Sequence, residues 1–154
     1  MKVLIVDDEA PARDRLRQIL DDEPGYEVVG EAGNGEEALH KLDQSQGQAD
    51  SHIDLVLMDM YLPGCTGPEL ARMIRQDPRY EELPVVFMSA HAGLDEELAV
   101  LRDGGDGFLK KPVDQQHLVA GAGGVVGTVG RRGVELAGQR VHAEREPPLA
   151  RAGI

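Results

Sequence analysis

The sequence predicts an α/β fold, a doubly wound parallel sheet of five strands with helices on both faces. Two observations predict it. Short, wholly apolar runs alternate five times with stretches whose apolar residues recur at helical spacing, the pattern of strands joined by crossover helices. Each of four of these runs then stops at a polar group: Asp7 and Asp8, Asp59, Ser89 and Lys111. In an open parallel sheet those ends share one crevice, where such folds bind ligands.

The elements follow in order. Lys2 to Val6 is apolar after its first residue and reads as a buried strand. Pro11 suits a helix's first turn, and Ala12, Leu16, Ile19 and Leu20 form its inward stripe before Pro24-Gly25 closes it. Tyr26 to Glu31, with Val28 and Val29, is a less buried strand. Asn34-Gly-Glu-Glu37 has the form of a capping box ahead of Ala38, Leu39 and Leu42. A polar loop from Gln44 to Ser51 leads into Ile53 to Asp59, apolar on both alternating faces as a doubly covered central strand must be.

After the Pro63-Gly64 turn signal, Thr66-Gly-Pro-Glu69 caps a third helix with Leu70, Met73 and Ile74 inward. Leu83 to Met88 is the fourth strand, and Leu94, Leu98 and Leu101 mark a fourth helix that stops at Gly104-Gly105. Gly107 to Leu109 is a brief fifth strand running into Lys110-Lys111-Pro112. Asp114 is placed to cap a last helix through Leu118.

Composition narrows the function classes. The chain has 154 residues, enough for one domain with a full core and no disulfide staples. Its single cysteine, Cys65, allows no internal disulfide and fits a reducing compartment. No apolar run approaches bilayer length and the first residues are already strand-like, so the expected location is cytoplasmic, without a membrane partner. A net charge of −12 argues against nucleic-acid binding by this chain. From Val119 onward five arginines face three glutamates, a net of +2, which leaves −14 for the preceding residues. Of the 19 glycines, 8 also fall after Leu118, so a boundary is expected there: a domain over 1–118 and a Gly/Arg/Pro-rich tail over 119–154, disordered or atypical.

Three carboxylates at neighbouring strand ends repel one another, and a hard divalent cation bound through oxygen offsets that best. Lys111 adds an ammonium and Ser89 a neutral donor. A cation, an ammonium and a hydroxyl around one carboxylate suit a phosphoryl group, whose transfer needs positioning and charge neutralisation above all. Asp59 is then the nucleophile. Each residue alone also has a plain structural reading: the acids as helix caps, Ser89 as a loop serine, Phe108 as core. Their joint placement separates the acids and Ser89 from those readings, whereas Phe108 on its own residues reads as core. Lys110 competes with Lys111 for that place. His91 has no nucleophile or base beside it, and His40, His52, His117 and His142 lack metal-ligand spacing.

Asp7-Asp8, Asp59 with Pro63-Gly64, Ser89-Ala90 and Phe108-Leu-Lys-Lys111-Pro112 together resemble the receiver domain of two-component response regulators, over residues 1 to about 118. The resemblance implies a flavodoxin-like strand order, 2-1-3-4-5. It implies that Asp59 accepts a phosphoryl group from a phosphohistidine on a sensor kinase or phosphotransfer protein and passes the state to a downstream protein. Asp8, Asp59 and the backbone carbonyl of Tyr61 would hold Mg²⁺, with Asp7 acting through water. Lys111, which directly precedes the proline as the family pattern requires, would touch a phosphoryl oxygen while Lys110 stays solvated, and the Lys111–Pro112 bond is expected to be cis. Ser89 would bond the new group, and Phe108 would swing inward as the switch. Such a protein catalyses at most its own phosphorylation and dephosphorylation.

Two other readings stay open on the residues. One is a Mg²⁺-dependent aspartyl-phosphate phosphohydrolase, against which Tyr61 stands where a second acid is usual. The other is an inactive receiver serving as a binding module. The sequence departs from the family after Leu118: five glycines between Val119 and Gly130, at about 1 kcal/mol each against alanine, point to a damaged or absent fifth helix. A true flexible extension and a shifted reading frame both account for that tail.

Overall fold

The computed structural model describes residues 1–47, 52–90, 102, 105–128, 134–136 and 139–141. Five strands form the parallel body of the sheet: β1 Lys2–Val6, β2 Glu27–Ala32, β3 Leu55–Asp59, β6 Val85–Ser89 and β7 Gly107–Lys110. Their order is β2-β1-β3-β6-β7, so the strand order reverses between β1 and β3. That is the expected doubly wound, flavodoxin-like arrangement.

Side-chain alternation sorts the core into two layers. Leu4, Val6, Val56, Met58, Val85 and Phe87 pack on one face with α2 (Gly35–Ser45) and α3 (Gly67–Arg75). Val3, Ile5, Leu55, Leu57, Val86 and Met88 pack on the other with α1 (Ala10–Asp21). All five residues of β3 and of β6 are buried, which explains why those segments read as unbroken apolar runs.

Local signals act where the sequence places them. Asn34 caps α2 by accepting from Glu37 N–H, while the Glu37 carboxylate accepts from Gly33 N–H rather than closing on Asn34 itself. Thr66 and Glu69 close a full capping box on α3. The loop after β3 forms a small hairpin that periodicity does not announce, β4 Tyr61–Leu62 against β5 Cys65–Thr66. Gly64 supplies the positive φ (+81°) its turn requires.

The fourth helix expected around Leu94, Leu98 and Leu101 lies outside the described residues, as does His91. Asp114 caps the C-terminal helix, Gln115–Thr128, by accepting from His117 N–H. The backbone thus runs helically through glycines that, by propensity, argue for a damaged or absent fifth helix. In this helix Leu118 and Ala122 are buried against the sheet, and a Cβ on Gly121 would stand 3.0 Å from the Leu109 side chain. Among the described residues, two three-residue strands lie within the stretch read as a tail. Of these, β8 Val134–Leu136 pairs parallel to β7, and β9 Gln139–Val141 pairs antiparallel to β8.

Candidate functional site

The site sits beyond the carboxyl ends of β1, β3, β6 and β7. Pairing of β1 ends at Val6, and Asp7 follows fully buried, its N–H bonded to the Ala32 carbonyl. Both carboxylate oxygens of Asp7 are engaged. Oδ1 accepts from Glu9 N–H at 2.9 Å, and Oδ2 accepts from Lys111 Nζ at 2.8 Å. Asp8 is exposed at the mouth. Asp59 is the last residue of β3, paired with Met88 and 8% exposed. Lys111 Nζ also reaches Asp59 Oδ1, at 3.4 Å.

Asp7, Asp8 and Asp59 each offer an oxygen within 4.8 Å of the others. Against these three carboxylates Lys111 brings one positive charge. Burial raises the Asp59 carboxyl above its ordinary range; Lys111 opposes this, while Asp7 and Asp8 add to it. For Lys111, burial works against the charged form, but the bonds to Asp7 and Asp59 hold its ammonium above the usual range. A cluster of hard oxygen donors with more negative charge than its ammonium balances, and with one exposed member, fits a small hard cation entering from solvent.

The other sequence-predicted residues surround this centre. Ser89 ends β6 and is buried, and its carbonyl accepts from Lys111 N–H at 2.9 Å, which fixes the Lys111 backbone to the β6 end. The Lys111–Pro112 peptide is cis. Lys110 is exposed. Tyr61, two residues past Asp59 on β4, is half-exposed (53%). Phe108 is already inside, 2% exposed in the layer with Phe87. So burying it requires no inward swing from this conformation.

Gly67 was missed by motif reasoning. A Cβ there would stand 2.5 Å from the Asp59 carbonyl oxygen and 3.0 Å from Phe87, and its N–H bonds the Met60 carbonyl. The start of α3 is therefore pressed directly onto the backbone that carries Asp59. The Thr66-Gly-Pro cap signal marks the position, but the sequence cannot say what lies opposite it.

A family model for the response regulator receiver domain matches residues 3–122. This chain belongs to that family. Among curated relatives of the receiver, the chemotaxis protein CheY of Pseudomonas aeruginosa is 34% identical over 118 residues, covering 77% of this chain and 90% of that protein. The phosphate regulon transcriptional regulatory protein PhoB of the same species is 36% identical over 118 residues, covering 77% of this chain. The chain spans about half (48%) of PhoB's length. A crystal structure of a putative response regulator from Chloroflexus aurantiacus superposes with a TM-score of 0.72 at 30% identity, covering 82% of this chain and 97% of that one. The receiver is a module of two-component signalling, a family whose members work with sensor kinases and downstream effectors. Among its described residues, no helix is long and apolar enough to cross a membrane.

Proposed function

We propose that this receiver is a phospho-accepting switch, with Asp59 taking a phosphoryl group from a phosphohistidine of a sensor kinase or phosphotransfer protein. The observation that carries the reading is Asp59 itself: a carboxylate at the end of the central strand, 8% exposed, with the Lys111 ammonium 3.4 Å away. An Asp59 carboxylate oxygen forms a bond to phosphorus as the P–N bond breaks. The electron pair stays on the imidazole nitrogen, which takes a proton from water. Lys111 neutralises charge on a transferred oxygen, and Ser89 donates its hydroxyl to another.

Asp8, Asp59 and the Tyr61 carbonyl are assigned to hold Mg²⁺, with Asp7 acting through water. Both Asp7 oxygens already accept hydrogen bonds, which supports the indirect role. When bound, Mg²⁺ supplies charge neutralisation on the phosphoryl oxygens. Phe108 is assigned as the group that reads the change at Ser89, its neighbour strand's last residue. Because it already packs inside, the bias acts on whether it stays there. That is a local charge event shifting a two-state element, whose surface a downstream protein reads. The functional unit is residues 1–118, acting in the cytoplasm on no separate substrate, and 119–154 is an atypical tail.

The test is intact-mass measurement of the full chain after incubation with Mg²⁺ and acetyl phosphate. One phosphate adduct, absent in Asp59→Ala and absent when the metal is chelated, is the expected result. A folded protein that gains no adduct overturns the reading.

A further inference from the structure

Arg13, on α1, holds none of the roles assigned above, yet it touches the site. Its Nη1 donates to the main-chain carbonyl of Asp7 at 2.7 Å, and its Nε lies 3.5 Å from Glu31 Oε1 on β2. As a tie between α1 and β2 it is redundant. Arg17 already binds the same Glu31 carboxylate through two bonds, at 3.1 and 2.7 Å. The contact of the Arg13 side chain with Asp7 is shorter than that with Glu31, and it falls just where β1 stops pairing.

The Asp7 carbonyl belongs to the planar peptide that also contains the nitrogen and Cα of Asp8. Holding that oxygen therefore fixes the rotation of the Asp7–Asp8 peptide, and with it the place from which the Asp8 side chain departs. Asp7 has a buried carboxylate bound on both oxygens to keep it in register. Asp8 is exposed, so its contribution to the three-carboxylate cluster depends far more on its backbone.

We infer that Arg13 is a positioning residue, which clamps the Asp7 carbonyl so that the Asp8 carboxylate meets Asp59 at cation-binding distance. The inference rests on the cluster being the Mg²⁺ site. Its sign separates it from simple electrostatics. Removing a positive charge beside three carboxylates should tighten cation binding; removing a positioning clamp should weaken it.

The experiment compares Arg13→Met, Arg13→Lys and Arg17→Met in the full chain. Met keeps the aliphatic stem and loses the donors, which limits damage to folding. Mg²⁺ titration by calorimetry should show Kd about tenfold higher in Arg13→Met, an intermediate value in Arg13→Lys, and little change in Arg17→Met, although both Met variants lose a tie to Glu31. In metal-free protein, exchange of the Glu9 amide, which bonds Asp7 Oδ1, should speed up in Arg13→Met alone. Unchanged or tighter Mg²⁺ binding in a folded Arg13→Met overturns the inference, and if that variant fails to fold, wild-type affinity in Arg13→Lys does so. If the wild-type protein takes up no Mg²⁺, the cation reading fails by itself. Unchanged Glu9 exchange in the variants then removes the clamp as well, whereas faster exchange retains it.

Discussion

Lys111 and Asp7, 104 residues apart, meet at 2.8 Å, with the Asp7 side chain wholly buried and Lys111 one-fifth exposed. The pair joins the end of the first sheet strand to the end of β7 and leaves Lys111 close enough to Asp59 to serve both acids. Truncating the lysine strands a buried carboxylate. Lys111→Met should therefore cost on the order of 3 kcal/mol, because removing one partner of a buried pair leaves an uncompensated charge. Urea unfolding at neutral pH checks this; an unchanged midpoint would contradict it.

Asp59 makes an opposite prediction. Burial first, then Asp7 and Asp8, raise its pKa above the ordinary 3.8 against the pull of Lys111. The folded state therefore binds this proton more readily than the unfolded chain. Ionised Asp59 weakens the fold at neutral pH, and that cost is relieved as pH falls through the raised value. Asp59→Asn should raise the thermal midpoint by a few degrees at pH 7, with the gain shrinking towards pH 4. Adduct formation on the native protein should fall over the same window, since the protonated acid is no nucleophile. Scans at the two pH values, with intact mass alongside, decide both points.

Gly67 tests how tightly the acceptor's backbone is held. An alanine Cβ would sit 2.5 Å from the Asp59 carbonyl, with Phe87 at 3.0 Å blocking retreat. Gly67→Ala should lose about 1–3 kcal/mol as the start of α3 lifts away. It should also slow phosphorylation of whatever remains folded. Denaturant melts and adduct accumulation would show it, and a native-like variant would mean that the helix start adjusts freely.

Asp106 offers a control away from the site. Its Oδ2 accepts from Arg75 Nη2 at 2.6 Å and from Val85 N–H at 3.0 Å, tying α3 to the start of β6. Asp106→Ala should destabilise by about 2–3 kcal/mol, since a part-buried arginine and a strand N–H lose a charged acceptor. Mg²⁺ affinity should stay as in the native chain, because those bonds lie at the opposite ends of the strands. A weakened affinity would indicate that strain at the strand starts reaches the site.

The strands were legible in the sequence because burial on both sides leaves unbroken apolar runs, as in Val85 to Met88. The helix starts were legible because Asn34 and Thr66 carry local capping chemistry. Less of the loops was legible. The β4–β5 hairpin has two-residue strands, too short for any period to register. Gly121 counts as a helix breaker by propensity, yet it lies where a Cβ would stand 3.0 Å from the Leu109 side chain.

For the site, the chain alone determined which groups stand at strand ends: Asp7, Asp8, Asp59, Ser89 and Lys111 each follow or finish a buried run. Periodicity is a local property, so it reaches that far without contacts. The tertiary structure decided the pairing among them. It placed Lys111 on Asp7 at 2.8 Å ahead of Asp59 at 3.4 Å, packed Phe108 inside, and brought Gly67 and Arg13 against the backbone of the two acids. Those choices follow from strand order and helix docking, which bring distant residues within a few ångströms, and nothing within a single element encodes them.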